Sequence, residues 1–294
     1  MTPAPGPVAL DRLIVSVEQR REVLIDVIRQ ARSRITLSLF RCNDDQIFDA
    51  LAAATARGVT VEVLVTSRAK GGRKKIEKLW RALEQTGATL KAYTDPVVKY
   101  HAKYLVADDG PAIVASLNLT KKCFTKTCDA VVVTYDPDVV SGLRRLWAAD
   151  CDCQALPDNV SERLIVGPER ARRQFTALVA QARSSIRLID AKLSDPDLVS
   201  LLNARRAAGL TVEVFSAKRL GDLKSHGKIM LVDDSLVVVG SLALAALSLD
   251  FRREVAIVVA EPEAVAEAVD LFRRLREIPA NGEAAAGETD DVRC

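Results

Sequence analysis

The 294-residue chain contains two histidines, and both open the same frame: His101-Ala-Lys103 with Asp108, and His226-Gly-Lys228 with Asp233. If each charged residue type makes up roughly 6% of an average chain, a given His meets Lys at +2 and Asp at +7 by chance about once in 300. Two satisfied core histidines would explain neither the shared Lys nor the shared Asp. Imidazole exchanges protons near neutral pH and can also attack as a nucleophile. On a strand, a Lys two residues away projects from the same face and adds a fixed cation. A base paired with a cation is suited to chemistry on an anion.

The frame runs on without a gap. Counted from each His, a Ser follows at +15 (Ser116, Ser241) and a carboxylate at +28 (Asp129, Glu254). The intervening apolar runs also match, so the chain is an internal duplication and its fold is read on one half. Turns at Asp108-Asp109-Gly110 and Asp233-Asp234-Ser235 send the chain back as a second strand, bringing each Ser close to the start of the HxK strand. The +28 carboxylates begin a third strand, where each could orient an imidazole through its other ring nitrogen. Two halves related by a pseudo-twofold would place two His and two Lys around one cleft. That suits a phosphodiester, with two cations for the nonbridging oxygens and one His on each side of phosphorus. A binding-only phosphate pocket would need the lysines but not two histidines placed so alike.

Upstream, a helix-like stretch over 18–32, with Val23, Leu24, Val27 and Ile28 on one face, answers 169–183, with Phe175, Leu178 and Val179. Each precedes a short strand (35–40, 186–189), then a second helix closing on Gly58 or Gly209, where a C-capping glycine is expected. The next strands are nearly the same text, GVTVEVLV and GLTVEVF. The first half alone carries about 26 further residues before its HxK strand, with a helix ending near Gly87 and the basic run Arg68, Lys70, Arg73, Lys74, Lys75 and Lys78. Strands alternating with helices at these spacings predict an α/β architecture with a parallel or mixed sheet in each half. Domains are expected over 9–155 and 161–277, divided at ALPDNVS, with a disordered acidic tail over 280–294.

No apolar run approaches the roughly 18 residues that span a bilayer, and the start lacks the pattern of a signal peptide. A soluble, cytoplasmic monomer is expected. Among the six cysteines, Cys151 and Cys153 are too close to bridge without strain, and Cys123 with Cys128 lacks zinc-site spacing, so free thiols and no metal or cofactor are expected. The net charge of +3 argues little for nucleic acid by itself. Trp80, Trp147 and Phe272 fall at helical core positions.

The segments HAKYLVADDGPAIVASLNLT and HGKIMLVDDSLVVVGSLALAALSLDFRREVAIVV resemble the phospholipase D superfamily, whose HxKxxxxD signature (the HKD motif) occurs twice in a chain or once per subunit of a dimer. The second is similar to the phospholipase D and cardiolipin synthase branch. The resemblance implies two α/β sandwich domains related by a pseudo-twofold, with the active site in the groove between them and no metal. It implies a catalytic set of His101, Lys103, Asp108, His226, Lys228 and Asp233. One His would form a phosphohistidine while the other protonates the leaving oxygen and then activates water or an alcohol. Lys103 and Lys228 would stabilise the pentavalent anion, with hydrogen bonds from Ser116, Asn118 and Ser241. Asp129 and Glu254 would orient the histidines.

The chain departs from the family at Ala243 (usually Asn), Ala115 (usually Gly), Thr127 and Arg252 (usually Asn), and Asp129 (usually Glu). The fuller set in the first half favours His101 as nucleophile and His226 as general acid. The expected activity is a metal-independent phosphodiesterase that hydrolyses or transfers a phosphatidyl group. A nuclease and a non-catalytic phosphate-binding module are the alternatives. A phospholipid is favoured as the phosphodiester substrate, with peripheral membrane contact; the 4% aromatic content counts against both interfacial seating and base stacking. Lys121 and Lys122, with the basic run, could instead track nucleic acid.

Overall fold

The computed structural model describes residues 9–67 and 73–278. Each half builds a mixed sheet from the strands the spacing predicts. In the first, Arg34–Leu39, Thr60–Thr66 and Thr89–Tyr93 run parallel through crossover helices Asp45–Ala56 and Arg73–Glu84. Tyr104–Ala107 joins Arg34–Leu39 antiparallel, and the sheet continues through Ala112–Ala115 and Val131–Thr134 to Asp11–Ile14. In the second half Thr211–Phe215, Ser185–Ile189, Ile229–Val232, Leu236–Gly240, Arg252–Val259 and Leu164–Gly167 repeat this order without the extra edge strand. The helices close as anticipated, with Gly58 (φ 85°) and Gly209 (φ 95°) in the left-handed region that a side chain would strain. The strands Asp11–Ile14 and Leu164–Gly167 lie ahead of the first helices and were not anticipated. Short and unpaired in sequence, they find partners only in the returning strands Val131–Thr134 and Arg252–Val259.

Three cores follow from these layers. The outer face of the first sheet packs on Gln19–Gln30 and Asp45–Ala56, around Ile28, Leu51 and Val63. The outer face of the second packs on Ala171–Gln181 and Pro196–Ala207, around Phe175, Val179 and Leu198. Between the two sheets lies a third core shared by both halves, in which Trp147 of Pro137–Cys151 and Phe272 of Pro262–Arg276 are buried with Val132, Val239 and Ile257. Trp80 is half-buried against the outer core of the first half. Strands of Val and Ile buried on both faces are what such a layered arrangement requires.

The described cysteines, Cys42, Cys123, Cys128, Cys151 and Cys153, are free thiols. No helix among the described residues is long and apolar enough to cross a membrane. Arg68, Lys70 and the 280–294 tail lie outside the described residues. The remaining basic run is on Arg73–Glu84, against the edge strand Thr89–Tyr93, three strands from the HxK strand.

Candidate active site

The histidines are positioned by two short strand pairings that cross from one half to the other. Lys99–Tyr100 runs parallel to the start of Arg252–Val259, with Lys99 opposite Arg252 and Tyr100 opposite Arg253. Leu223–Ser225 runs parallel to Thr127–Cys128, with Lys224 opposite Thr127 and Ser225 opposite Cys128. One residue further on, each register sets a His beside the carboxylate of the opposite half. The backbone secures this: His101 N–H donates to the Arg253 carbonyl at 2.9 Å, and Gly227 N–H to the Cys128 carbonyl at 2.7 Å. A Cβ on Gly227 would stand 2.5 Å from that carbonyl oxygen, so the second HxK frame closes only with glycine between His and Lys.

His226 Nδ1 lies 3.0 Å from both carboxylate oxygens of Asp129. Asp129 is fully buried, and it also accepts from Ser116 Oγ at 2.7 Å and Thr127 Oγ1 at 2.6 Å. Burial pushes its pKa up, but the His226 hydrogen bond, the charges of His226 and Lys228 and the Thr127 hydroxyl outweigh it, so Asp129 is held ionised below its ordinary range. His101 Nδ1 contacts Glu254 Oε1, and Ser248 Oγ contacts the other oxygen of that buried carboxylate. Burial raises the Glu254 pKa against the pull of Lys103. The lysines are buried in turn. Lys103 Nζ donates to the His101 carbonyl at 2.7 Å and lies 3.0 Å from its Nδ1, while Lys228 Nζ donates to the His226 carbonyl. Both imidazoles are pushed down by burial first. Lys103, Lys228, Arg252 and Lys192 add to this at His101, placing it well below its ordinary value, whereas Asp129 opposes it at His226.

The two Ser at +15 serve the returning strands. Ser116 Oγ accepts from Ala130 N–H while donating to Asp129, and Ser241 Oγ accepts from Val255 N–H. Asn118 is buried, and its Oδ1 has no hydrogen-bond partner. At its counterpart Ala243 the backbone N–H donates to Ser248 Oγ at 3.0 Å. The hydroxyls of Thr127 and Ser248 thus do the same job from different places; Thr127 stands out in the sequence only as a departure from the family's Asn, and nothing there signals Ser248.

Asp108 and Asp233 do not join the histidines, which corrects the expectation that they are catalytic. Each ends its HxK strand at the far side, roughly 20 Å along the chain at strand rise, with positive φ (44° and 54°). Asp108 accepts from the backbone N–H groups of Arg32, Ser33 and Arg34 at 2.8–2.9 Å, and Asp233 from those of Arg183, Ser184 and Ser185 at 2.7–3.0 Å. They staple the HxK hairpin to the turn before the neighbouring strand. Partial burial is the largest single influence and raises each pKa, but these donors together outweigh it and lower each to about 2.

Around the second half, sequence reasoning marked Arg252 only as a departure from the family's Asn and missed Lys192. Arg252 Nη1 lies 4.0 Å from Glu254 Oε1, and Lys192 follows a turn in which Asp190 accepts from Lys192 N–H and from Leu244 N–H. Among the described residues one cluster offers three metal-type donors within 4.8 Å of one another, Cys123, Asp129 and His226. There the Asp129 carboxylate already holds His226 Nδ1, so a cation would compete with the hydrogen bond that orients the ring.

A family model described as cardiolipin synthase, PLD-like domain, matches residues 24–150 and 202–276, well over half of the chain. The chain belongs to the phospholipase D superfamily. This phospholipase D-like chain is 28% identical over 127 residues to cardiolipin synthase A of Pseudomonas aeruginosa, a match covering 43% of this chain and 26% of that relative, about a quarter of its length. It shares its fold with polyphosphate kinase from Porphyromonas gingivalis (TM-score 0.73, 21% identity, 90% of this chain and 47% of that one). The same holds for phosphatidylserine synthase from Haemophilus influenzae Rd KW20 (TM-score 0.68, 11% identity, 92% and 87%). In phospholipase D terms, the departures at Thr127 and Arg252 fall where the crossing strands meet, one giving a hydroxyl to Asp129 and the other a cation beside Glu254.

Proposed function

We propose that the protein is a metal-independent phosphodiesterase of the phospholipase D type, hydrolysing or transferring a phosphatidyl group. The observation that carries this reading is the crosswise pairing, each histidine on a carboxylate of the other half, with two buried lysines beside them. His101, kept neutral by burial and surrounding cations, attacks phosphorus through its Nε2. Charge builds on the nonbridging oxygens, where Lys103 and Lys228 stabilise it. His226, whose protonated form the ionised Asp129 favours, gives its proton to the leaving oxygen as the P–O bond breaks. Neutral His226 then takes a proton from water or an acceptor alcohol, whose oxygen displaces His101 and breaks the P–N bond. Asn118 and the two serines support the phosphoryl group and the strands that carry it. The match to cardiolipin synthase favours a phospholipid; Lys121 and Lys122 are the features that suit a nucleic acid.

Turnover of a soluble diester in excess EDTA tests the mechanism, since chelation is expected to leave the rate unchanged. His101→Ala and His226→Ala are each expected to remove several orders of magnitude of turnover, non-additively. Protein quenched during turnover is expected to carry acid-labile phosphate on one histidine. Activity lost on chelation and restored by a divalent ion would refute the mechanism, and no turnover of any diester would leave the binding module. Incubation with phosphatidylglycerol and phosphatidylcholine vesicles, with and without an alcohol, beside single-stranded DNA and RNA, decides the substrate: cleaved nucleic acid with inert vesicles replaces the lipid reading by the nuclease.

A further inference from the structure

The duplication allows the two sides of the cleft mouth to be compared residue by residue. The segment from Ser116 to Asp129 corresponds without gaps to that from Ser241 to Glu254, and each contains a short helix, Lys121–Thr125 or Ala246–Phe251. The inward positions agree: Cys123 and Phe124 are buried, as are Ser248 and Leu249. The outward positions do not. Lys122 and Lys126, both exposed, stand where the second half has Leu247 and Phe251, 45% and 51% exposed. Within each segment the two are four apart and share a face.

Phe251 leads directly into Arg252, which pairs with Lys99 in the crossing strands. The residue two before Lys99, Val97, is 68% exposed, its N–H tied with that of Val98 to Asp95 Oδ1 in a turn that presents it outward. Leu247 and Phe251 thus lie on the short helix that leads into Arg252, and Val97 in the turn that leads into Lys99, so three exposed apolar side chains sit on the segments that feed one crossing pair of strands. The segment that feeds the other pair carries Lys122 and Lys126 instead. Leaving large apolar side chains in water where the other repeat keeps lysines points to a ligand that is apolar on one side and anionic on the other.

We propose that this mouth docks on an anionic phospholipid surface. Leu247, Phe251 and Val97 enter the boundary between headgroups and acyl chains, and Lys122 and Lys126 meet headgroup phosphates. The inference rests on the phospholipid reading above, and it adds the surface that delivers the substrate to the histidines. The four rim side chains chosen for substitution touch none of the reacting groups.

Sedimentation of the full chain with phosphatidylglycerol vesicles, compared with phosphatidylcholine vesicles, tests it, with bis(p-nitrophenyl) phosphate as a soluble substrate. The wild type is expected to favour the anionic vesicles. Leu247→Ser with Phe251→Ser is expected to weaken vesicle binding by about tenfold or more. Lys122→Gln with Lys126→Gln is expected to weaken it and flatten its salt dependence. Soluble turnover and melting temperature should stay at wild-type values in both. Wild-type protein that ignores anionic vesicles, or serine variants that bind as wild type, would overturn the docking surface. So would a dimer in sedimentation velocity that the serine pair dissociates, which would assign the apolar rim to a second copy of the chain. Soluble turnover with no vesicle binding rejects the docking and keeps the phosphodiesterase; vesicle binding with no turnover of any diester does the reverse.

Discussion

Asp129 does more at the site than orient a ring. Its charge favours the imidazolium of His226, which the surrounding lysines and burial oppose. Asp129→Asn keeps an oxygen acceptor opposite His226 Nδ1 but removes that charge, so the folded pKa of His226 falls further. A general acid works only while protonated, so kcat declines as pH rises through its pKa, and that decline should begin at lower pH in the variant. The rate at the optimum is expected to fall by about 10² to 10⁴, the range of general acid catalysis. Profiles of kcat against pH for a soluble diester measure both effects, and a variant whose alkaline limb coincides with the wild type would dissociate Asp129 from His226 in the reaction. Glu254→Gln supplies the comparison at His101, where burial and four nearby cations already keep the imidazole neutral and little limb movement is expected.

The HxK hairpins are held at their far ends by Asp108 and Asp233. Each carboxylate has a folded pKa of about 2 against an ordinary value of 3.8, so its contribution is present above the unfolded value and lost as pH falls through the folded one. Discounted for solvent screening, such a shift contributes about 1 kcal/mol per residue. Asp108→Asn and Asp233→Asn are expected to lower stability by about 1–3 kcal/mol each near neutral pH, with the difference from wild type closing as pH falls toward 2. Urea midpoints across pH 2–7 read this out. At low temperature, where the variants remain folded, turnover is expected to stay within about tenfold of wild type, well short of the loss of a group that takes part in proton transfer. A loss of several orders of magnitude in a folded variant would return these residues to the catalytic set.

The halves are joined behind the site by a buried cluster. Arg253, one residue before Glu254, places Nε 2.8 Å from Asp150 Oδ1 and forks to Glu169 at 2.6 and 2.8 Å. Both Asp150 oxygens are buried, with Arg253 as their charged partner. Burial therefore dominates over the charge of Arg253 and raises the Asp150 pKa to about 7. A folded pKa above the unfolded one binds the proton more tightly in the native state, so this group makes stability fall as pH rises from about 4 through about 7. Asp150→Asn is expected to flatten that decline, giving a variant whose loss of stability between pH 5 and pH 8 is smaller than that of the wild type in denaturant titrations. Equal slopes would mean that Asp150 is ionised throughout. The same cluster bears on function, since the Arg253 carbonyl receives His101 N–H.

Spacing alone made the duplication, the mixed α/β sheets and the residues gathered at the cleft legible, because strand period and gapless offsets survive in one dimension. His101, Lys103, His226 and Lys228 lie in the three-residue links between Lys99–Tyr100 and Tyr104–Ala107 and between Leu223–Ser225 and Ile229–Val232, where the alternation expected of a strand still sets His and Lys apart from the buried residue between them. Asp108 and Asp233 share the same frame but not the same place: a strand carries them to its other end, and motif membership cannot distinguish a group at the reacting centre from one that holds the hairpin. Which carboxylate faces which histidine was equally invisible. Lys99 with Arg252, and Lys224 with Thr127, pair over separations of 153 and 97 residues, a contact that only docking of the two sheets over their shared core creates. Local patterns specify elements through short-range geometry; the crosswise site, the buried Arg253 cluster and the unlike rims of the mouth depend on how two complete halves pack, which no local period encodes.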